Sequence, residues 1–281
     1  MRPPYERGRT AVLEIHDSSA DPRGILYPTR LPTFHRIPAP PELEGLIRWF
    51  WIPRWHLAPG RASRQELLPF PASNLVVQPE GVTLSGPSTR ASFRDLRGSG
   101  WAVGALLRPA GVVQLHQDPG AVRDAEVPFS APELHAAVVQ AMGNDAGASS
   151  RTQATSAFSR WAAARLAVPD RAGRLANAME EAIATDRRIV RVEHVAERLG
   201  TSVRGVQRLA RSHVGLPPLA IIRRYRLQEA AARLREDPSA VIADVAAELG
   251  YADQAHLSRD FRTVLGLTPG DYRGGQQPRG Q

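Results

Sequence analysis

The stretch that decides the fold is Ala247–Gly274, AELGYADQAHLSRDFRTVLGLTPGDYRG. It closes a run in which Ile242, Val245, Ala246 and Leu249 fall at i, i+3, i+4 and i+7, one face of a helix. Gly250 follows at once, the residue suited to a left-handed helix cap. Asp253 then stands where the N-cap of a second helix belongs. That helix has an apolar stripe of Leu257, Phe261, Val264 and Leu265, and it keeps Gln254, His256, Arg259 and Arg262 outside.

The same pattern occurs once before. Val192, Val195, Ala196 and Leu199 repeat the first spacing, and Gly200 follows, an offset of 50 residues. Beyond the glycines the offset becomes 51: Val206-Gln207-Arg208 matches Leu257-Ser258-Arg259, and Gly215-Leu216-Pro217-Pro218 matches Gly266-Leu267-Thr268-Pro269. One extra residue therefore sits in the second turn. Ser202 is the matching N-cap. In this copy Val203, Val206 and Ala210 face one way, while Arg204, Gln207, Arg208 and Arg211 face the other.

A short helix, a tight turn and a capped second helix make a helix-turn-helix unit, whose second helix enters the DNA major groove. Arginine and glutamine read guanine and adenine edges bidentately. No acidic residue lies between Ser202 and His213. Any one of these arginines could be an ordinary solvated helix face; two units of matching geometry argue against that for the pair. The second unit is less clean, because Asp253 and Asp260 offset its arginines. Between the copies, LAIIRRYRLQEAAARLREDP is helical in composition and stopped by Asp237-Pro238. A helix of ~18 residues spans ~27 Å, against ~34 Å between successive major grooves on one DNA face, so one chain could reach two grooves.

The remainder of the 281 residues reads differently. Residues 1–26 are rich in proline, glycine and arginine and are expected to be loosely ordered. Residues 27–142 are β-like: LIRWFWI, NLVVQ, GVTLSG and WAVGALL are apolar runs bounded by proline and glycine, followed by the helical APELHAAVVQAM. GNDAGASSRTQAT is the linker candidate within a connecting region 143–185, which also holds the helix-like AFSRWAAARLAV and RAGRLANAMEEAIATD. Residues 186–274 form the double helix-turn-helix unit, and 275–281 a tail. The fold class expected is α+β, a β-rich domain followed by an all-α one. In Trp49-Phe50-Trp51, alternate residues face opposite sides of a strand, so only one face can line a pocket. Trp49, Trp51 and Trp101 are the pocket candidates, with core packing the commoner fate of such residues.

These features together resemble the AraC/XylS family of bacterial transcription regulators. The marks are VAERLG with VRGVQRLARSHVGLPP, the linker-helix RLQEAA, VIADVAAELGYADQAHLSRDFR and GLTPGDYR. Tyr27-Pro28, WFW, Asn74-Leu75-Val76 and GALLRPAG resemble, more loosely, a β-rich N-terminal domain on one branch of that family. The resemblance implies base-reading positions at Arg204, Gln207 and Arg208, and at Ala255, His256 and Arg259 with Gln254 adjacent. It implies a cytoplasmic regulator whose partners are double-stranded DNA and, as further candidates, a small-molecule effector, RNA polymerase and a second copy of the chain, with no membrane. The chain departs from the family pattern where Ala210 replaces an aromatic, where Val241 replaces a polar cap for which Ser239 is the substitute, and at Gly205 inside a helix.

Composition narrows the alternatives. All 36 basic residues are arginine, as a GC-rich genome would encode, and the formal net charge is +8. Without lysine there is neither a P-loop nor a Schiff base, and without cysteine no disulfide or thiolate chemistry. The nearest histidines are 19 residues apart, which excludes His-x-His and His-Glu-x-x-His metal spacings. His56 with Glu66 and His116 with Asp118 can be written as catalytic pairs, but nothing else in the sequence supports them. No enzyme, no cofactor and no catalytic residue are expected. The rival to a DNA-binding regulator is a helical protein-interaction module with a ligand-binding or catalytic N-terminal domain. Sensing and oligomerisation both stay open for the β-rich half.

Overall fold

The computed structural model describes residues 33–143 and 147–274. The segments 1–26 and 275–281, and the Tyr27-Pro28 pair, lie outside the described residues. The first half is built on one antiparallel sheet. Its strands are β1 (Thr33–Pro38), β2 (Ile47–His56), β4 (Asn74–Gln78), β5 (Gly81–Ser85), β8 (Val103–Leu107) and β9 (Glu126–Pro128), in the order β1-β2-β8-β4-β5-β9, with β7 (Ser99–Trp101) also on β2. A separate two-stranded ribbon pairs β3 (Ala62–Leu67) with β6 (Ser92–Arg97).

The period-2 pattern of β2 decides what each face of the sheet meets. Phe50 and Ile52 point to one side, into a core with Leu75, Leu84, Val103 and Ala105. Helices α2 (Pro132–Gly143) and α3 (Ala148–Arg165) cover that side through Leu134, Val138, Phe158 and Ala162. The rings of Phe50 and Phe158 lie 5.3 Å apart. This corrects the reading of GNDAGASSRTQAT as a linker. From Ala148 it is helix, and its Ala154 is buried in the core, as is Ala157 just beyond it. The composition that resembles a linker is that of a closely packed helix.

The ribbon β3–β6 escapes a sequence reading because its residues are polar on both faces and mostly exposed, with Arg64 and Asp95 paired across it at 2.8 Å. Nothing there alternates strongly enough to mark a strand.

The second half is helical: α4 (Arg171–Thr185), α5 (Val192–Arg198), α6 (Val203–Val214), α7 (Pro218–Glu236), α8 (Ile242–Glu248), α9 (Gln254–Leu265) and α10 (Pro269–Gly274). A short α1 (Pro109–Leu115) follows β8. Helices α5 and α6 pack Val195, Ala196, Val206 and Ala210 into one core with Ile221 and Tyr225 of α7. Helix α4, expected as a connecting helix ahead of residue 186, supplies Ala176, Met179 and Ile183 to that same core. Helices α8 and α9 make a second core with the C-terminal half of α7, burying Val245, Leu257, Phe261 and Tyr272 completely or nearly so. Each such side chain contributes about 1.5–3 kcal/mol on leaving water. The expected cap for α8 is also corrected. Val241 is its N-cap with no side-chain bond, and Ser239 is taken up by Asp237, whose Oδ1 accepts from both its N–H and its hydroxyl.

The two halves are not merely strung together. Arg48 of β2, with an 8% exposed side chain, reaches Glu180 of α4 at 3.0 Å, and Glu180 accepts the Tyr225 hydroxyl of α7 at 2.6 Å. Burial favours loss of Arg48's proton, but Glu180, Tyr225 and Glu181 outweigh it and hold the guanidinium above its ordinary range. Arg226 of α7, also buried, donates to the carbonyls of Ile183 and Asp186. A sequence reading has no means of pairing Arg48 with Glu180, 132 residues apart.

Candidate nucleic-acid interface and the adjoining cavity

Helix α6 starts because Ser202 in extended backbone accepts from the Gly205 N–H at 3.1 Å. It ends at Gly215, whose φ of 77° is left-handed. Helix α9 repeats this: Asp253 accepts from the His256 N–H at 2.6 Å, and Gly266 closes at φ 73°. Both N-caps are those expected from the sequence. Gly205 is explained as well, since a Cβ there would press within 2.8 Å of the Thr201 hydroxyl.

On α6, Arg204, Gln207, Arg208 and Arg211 are all exposed and line one shallow groove with Ser212. Val206, Leu209 and Ala210 are buried beneath them. On α9, Gln254, Ala255, Arg259 and Arg262 are exposed over Leu257 and Phe261. His256 is the exception on that face. It is half-buried, with its ring edge-on to Tyr251 at 5.3 Å, so it packs as much as it projects.

The acidic residues that clouded the second unit have structural work. Asp253 is the cap, and Asp260 accepts the Tyr251 hydroxyl at 2.9 Å. Burial first, then Asp260, pushes the Tyr251 phenol above its ordinary range, so it stays a donor. Among the described residues, no carboxylate pairs with Arg204, Arg208, Arg211, Arg259 or Arg262 within ion-pair distance. The two helices therefore each present an uncompensated cationic face from a rigid, capped support.

The sheet side away from α2 and α3 opens on a cavity of about 640 Å³. Trp49 and Trp51 line it, together with Pro53 and Trp55 from the same face of β2. The Trp51 indole N–H donates to Asn74 Oδ1 at 2.9 Å. Trp101 does not join them. In β7 it pairs opposite Arg54, shares that residue's side of the sheet, and packs against the core under α2 and α3. The ribbon β3–β6 and the segments 68–72 and 86–91 complete the enclosure. Trp55, Phe34 and Phe70 are lining residues the sequence reading missed. The alternation carrying Trp49 and Trp51 runs on to Trp55 and could have shown it, whereas Phe34 and Phe70 arrive by tertiary contact alone. His56, one of the residues written as a catalytic pair, instead meets the Ser99 hydroxyl at 2.5 Å.

Comparison with known proteins finds one match in each half of the chain. Residues 195–275 match a helix-turn-helix domain family, and residues 35–126 match a domain of unknown function, DUF6597. A Streptomyces lividans protein assigned as an AraC-like transcription regulator is 45% identical over 60 residues, 21% of this chain and 19% of that one. The transcriptional activator RhaS of Escherichia fergusonii is 34% identical over 84 residues, 30% of each chain. The regulator MtrA of Neisseria gonorrhoeae is 35% identical over 74 residues, 26% of this chain and 24% of its own. This chain thus spans about a fifth to a third of the length of the curated relatives it matches. The C-terminal domain of the response regulator AraT from Geobacillus stearothermophilus overlays 40% of this chain and 95% of its own at 22% identity and a TM-score of 0.36, too loose a likeness to carry an argument. The carboxy-terminal pair of helix-turn-helix units is thus similar to the matching segments of AraC-like transcription regulators.

Proposed function

We propose that this chain is a sequence-specific DNA-binding transcription regulator that inserts α6 and α9 into successive major grooves. The observation that carries the reading is the matched pair of exposed, carboxylate-free arginine faces on two helices capped alike. Arg208 and Arg259 hold equivalent places in the two copies and are the lead base-reading residues. Arg204, Gln207 and Arg211, with Gln254, Ala255 and Arg262, flank them, and His256 contributes chiefly by positioning. Because α4 shares the first unit's core, the binding unit in this reading is 171–274 rather than 186–274. The sheet domain is the sensing half, and the aromatic cavity favours that role over oligomerisation alone. RNA polymerase and a second copy of the chain are the further partners this reading implies.

The experiment is selection of bound sequences from a random DNA pool, with the full chain, Arg208→Ala and Arg259→Ala. Each variant is expected to lose about 1–3 kcal/mol on the selected site and to relax preference at one position. The two relaxed positions are expected about 10 base pairs apart, one helical turn. Relaxation at the same position for both, or uniform weakening with preference intact, overturns the two-headed reading.

A further inference from the structure

We infer that Asp124 is a positioning residue: it clasps together the two loops against which the recognition helices end, and so sets the one half-site separation that the chain accepts. The half-site separation rests on the DNA-binding role proposed above; the clasp does not.

Within the helical half the two units have separate cores, one built on each half of α7. Val190, ahead of α5, also touches the second unit at Gly250, where a Cβ would lie 2.3 Å from its Cγ1. That hold is at the turn before α9 and does not fix the far ends of α6 and α9. The sheet half meets those ends at two places. Gly215, the C-cap of α6, packs backbone to backbone on the loop 118–124. A Cβ on Gly215 would lie 2.5 Å from the Gly120 nitrogen and the Pro119 carbonyl carbon, and one on Gly120 would lie 3.7 Å from the Gly215 Cα. Ala91, at the end of segment 86–91, donates its N–H to the Val264 carbonyl in the final turn of α9 at 2.9 Å.

The two supports are neighbours because they extend neighbouring strands. Segment 86–91 continues β5, and 118–124 leads into β9, its antiparallel partner. The pairing runs on past the strand ends: the Gly86 N–H donates to the Ala125 carbonyl at 2.9 Å, and the Asp124 N–H to the Pro87 carbonyl at 3.1 Å. The Asp124 side chain then closes the gap. Its Oδ1 accepts the Thr89 N–H at 2.5 Å and its Oδ2 the Thr89 hydroxyl at 2.6 Å. It does so at φ 58°, and among the described residues no other non-glycine has a positive φ. Such backbone is disfavoured once a Cβ is present and persists where surrounding bonds over-determine it. The charge of Asp124 also reaches Arg224 of α7, as does that of Asp260 on α9. One base pair added between two half-sites moves the second by ~3.4 Å and turns it by ~35°. Loops bonded to each other and seated on the ends of α6 and α9 cannot open that far without losing the Ala91 bond or the Gly120–Gly215 contact.

The test uses the full chain, which has no cysteine of its own, with nitroxide labels on Ser212→Cys and Thr263→Cys, exposed and equivalent positions of α6 and α9. Pulsed electron paramagnetic resonance is expected to give a narrow distance distribution in the parent and a broad one in Asp124→Ala. Asp124→Asn is expected to restore the narrow one, because it keeps an acceptor for the Thr89 N–H, tolerates the left-handed backbone and drops only the charge. Gly120→Val, which pushes the loop off Gly215 without touching Asp124, is expected to broaden it as well. Binding is then measured with the unlabelled chain on its selected site and on sites with one base pair added or removed between the halves. The parent is expected to lose about tenfold or more, and Asp124→Ala no more than about threefold, with base preference inside each half unchanged. Thermal melts check folding, and Asp124→Ala and Gly120→Val each answer without the other. Equal distributions in the parent and both variants, or an Asp124→Asn as broad as Asp124→Ala, overturns the clasp. A broadened distribution with the parent's spacing preference intact, or uniform weakening at every spacing, overturns its control of half-site separation. Broadening in a chain that selects no DNA sequence leaves the clasp standing and overturns instead the function proposed for the carboxy-terminal half.

Discussion

Glu180 is where stability and the joining of the halves meet. Its side chain is 1% exposed and takes two donors, the Arg48 guanidinium at 3.0 Å and the Tyr225 hydroxyl at 2.6 Å. Replacing it with alanine leaves a nearly buried cation and a buried phenol without that acceptor. Removing one partner of a buried ion pair costs about 3–5 kcal/mol, most of it the desolvated charge left behind. Glu181 softens the loss, since it lies 3.1 Å from the same guanidinium nitrogen, but its side chain is 46% exposed and its pairing is screened. The lower half of that range is therefore expected for Glu180→Ala, about 3–4 kcal/mol. Glu180→Gln keeps an acceptor for Tyr225 and loses only the charge, so about 2 kcal/mol is expected, in line with hydrogen bonds to charged groups. Glu181→Ala is the control, expected to cost under about 1 kcal/mol. Replacing all three members with apolar residues, Glu180→Leu with Arg48→Met and Tyr225→Phe, is expected to recover most of the loss. The assay is urea denaturation of the full chain, followed by tryptophan fluorescence for the sheet half and circular dichroism for the helices. Because the pair bridges the halves, the two probes are expected to separate in Glu180→Ala and to coincide in the parent chain. If Glu180→Ala costs no more than Glu181→Ala, the network does not hold the halves and the reasoning fails.

Three further outcomes are expected. Gly215→Ala should destabilise well beyond Gly266→Ala in thermal melts: both residues have left-handed φ, worth about 1–2 kcal/mol, but only at Gly215 would the new Cβ strike backbone, at 2.5 Å from Gly120 and Pro119. His213 has its pKa lowered from 6.5, because burial outweighs a backbone bond and the charge of Asp170. The unfolded chain then binds more protons, so stability should fall as pH drops below 6.5, with the loss complete once pH passes the lowered value, and His213→Gln should flatten that slope in denaturation midpoints. DNA affinity should fall with salt at a log–log slope of up to about −4.5, from the five exposed arginines of the two outer faces at roughly −0.9 per neutralised phosphate; a slope near zero would remove the electrostatic part of the account.

What was legible in the sequence was whatever is local. Caps at Ser202 and Asp253, the left-handed glycines, the stripes of α6 and α9 and the alternation of β2 all follow from neighbours within a turn or a strand, and each stands in the structure as expected. The exposed faces of the recognition helices were readable for the same reason, since burying Val206 and Leu257 sends Arg208 and Arg259 outward. Only the tertiary structure decided the rest. It turned a supposed linker of polar and small residues into a packed helix from Ala148 on, because small side chains read alike whether they face water or another helix at close range. It put Trp101 with the helices and Phe70 in the cavity, because the partner of a strand face is set by chain segments far away. And it joined Arg48 to Glu180 and Tyr225, a buried charge network whose members each look like an ordinary polar or aromatic residue until the fold removes the water around them.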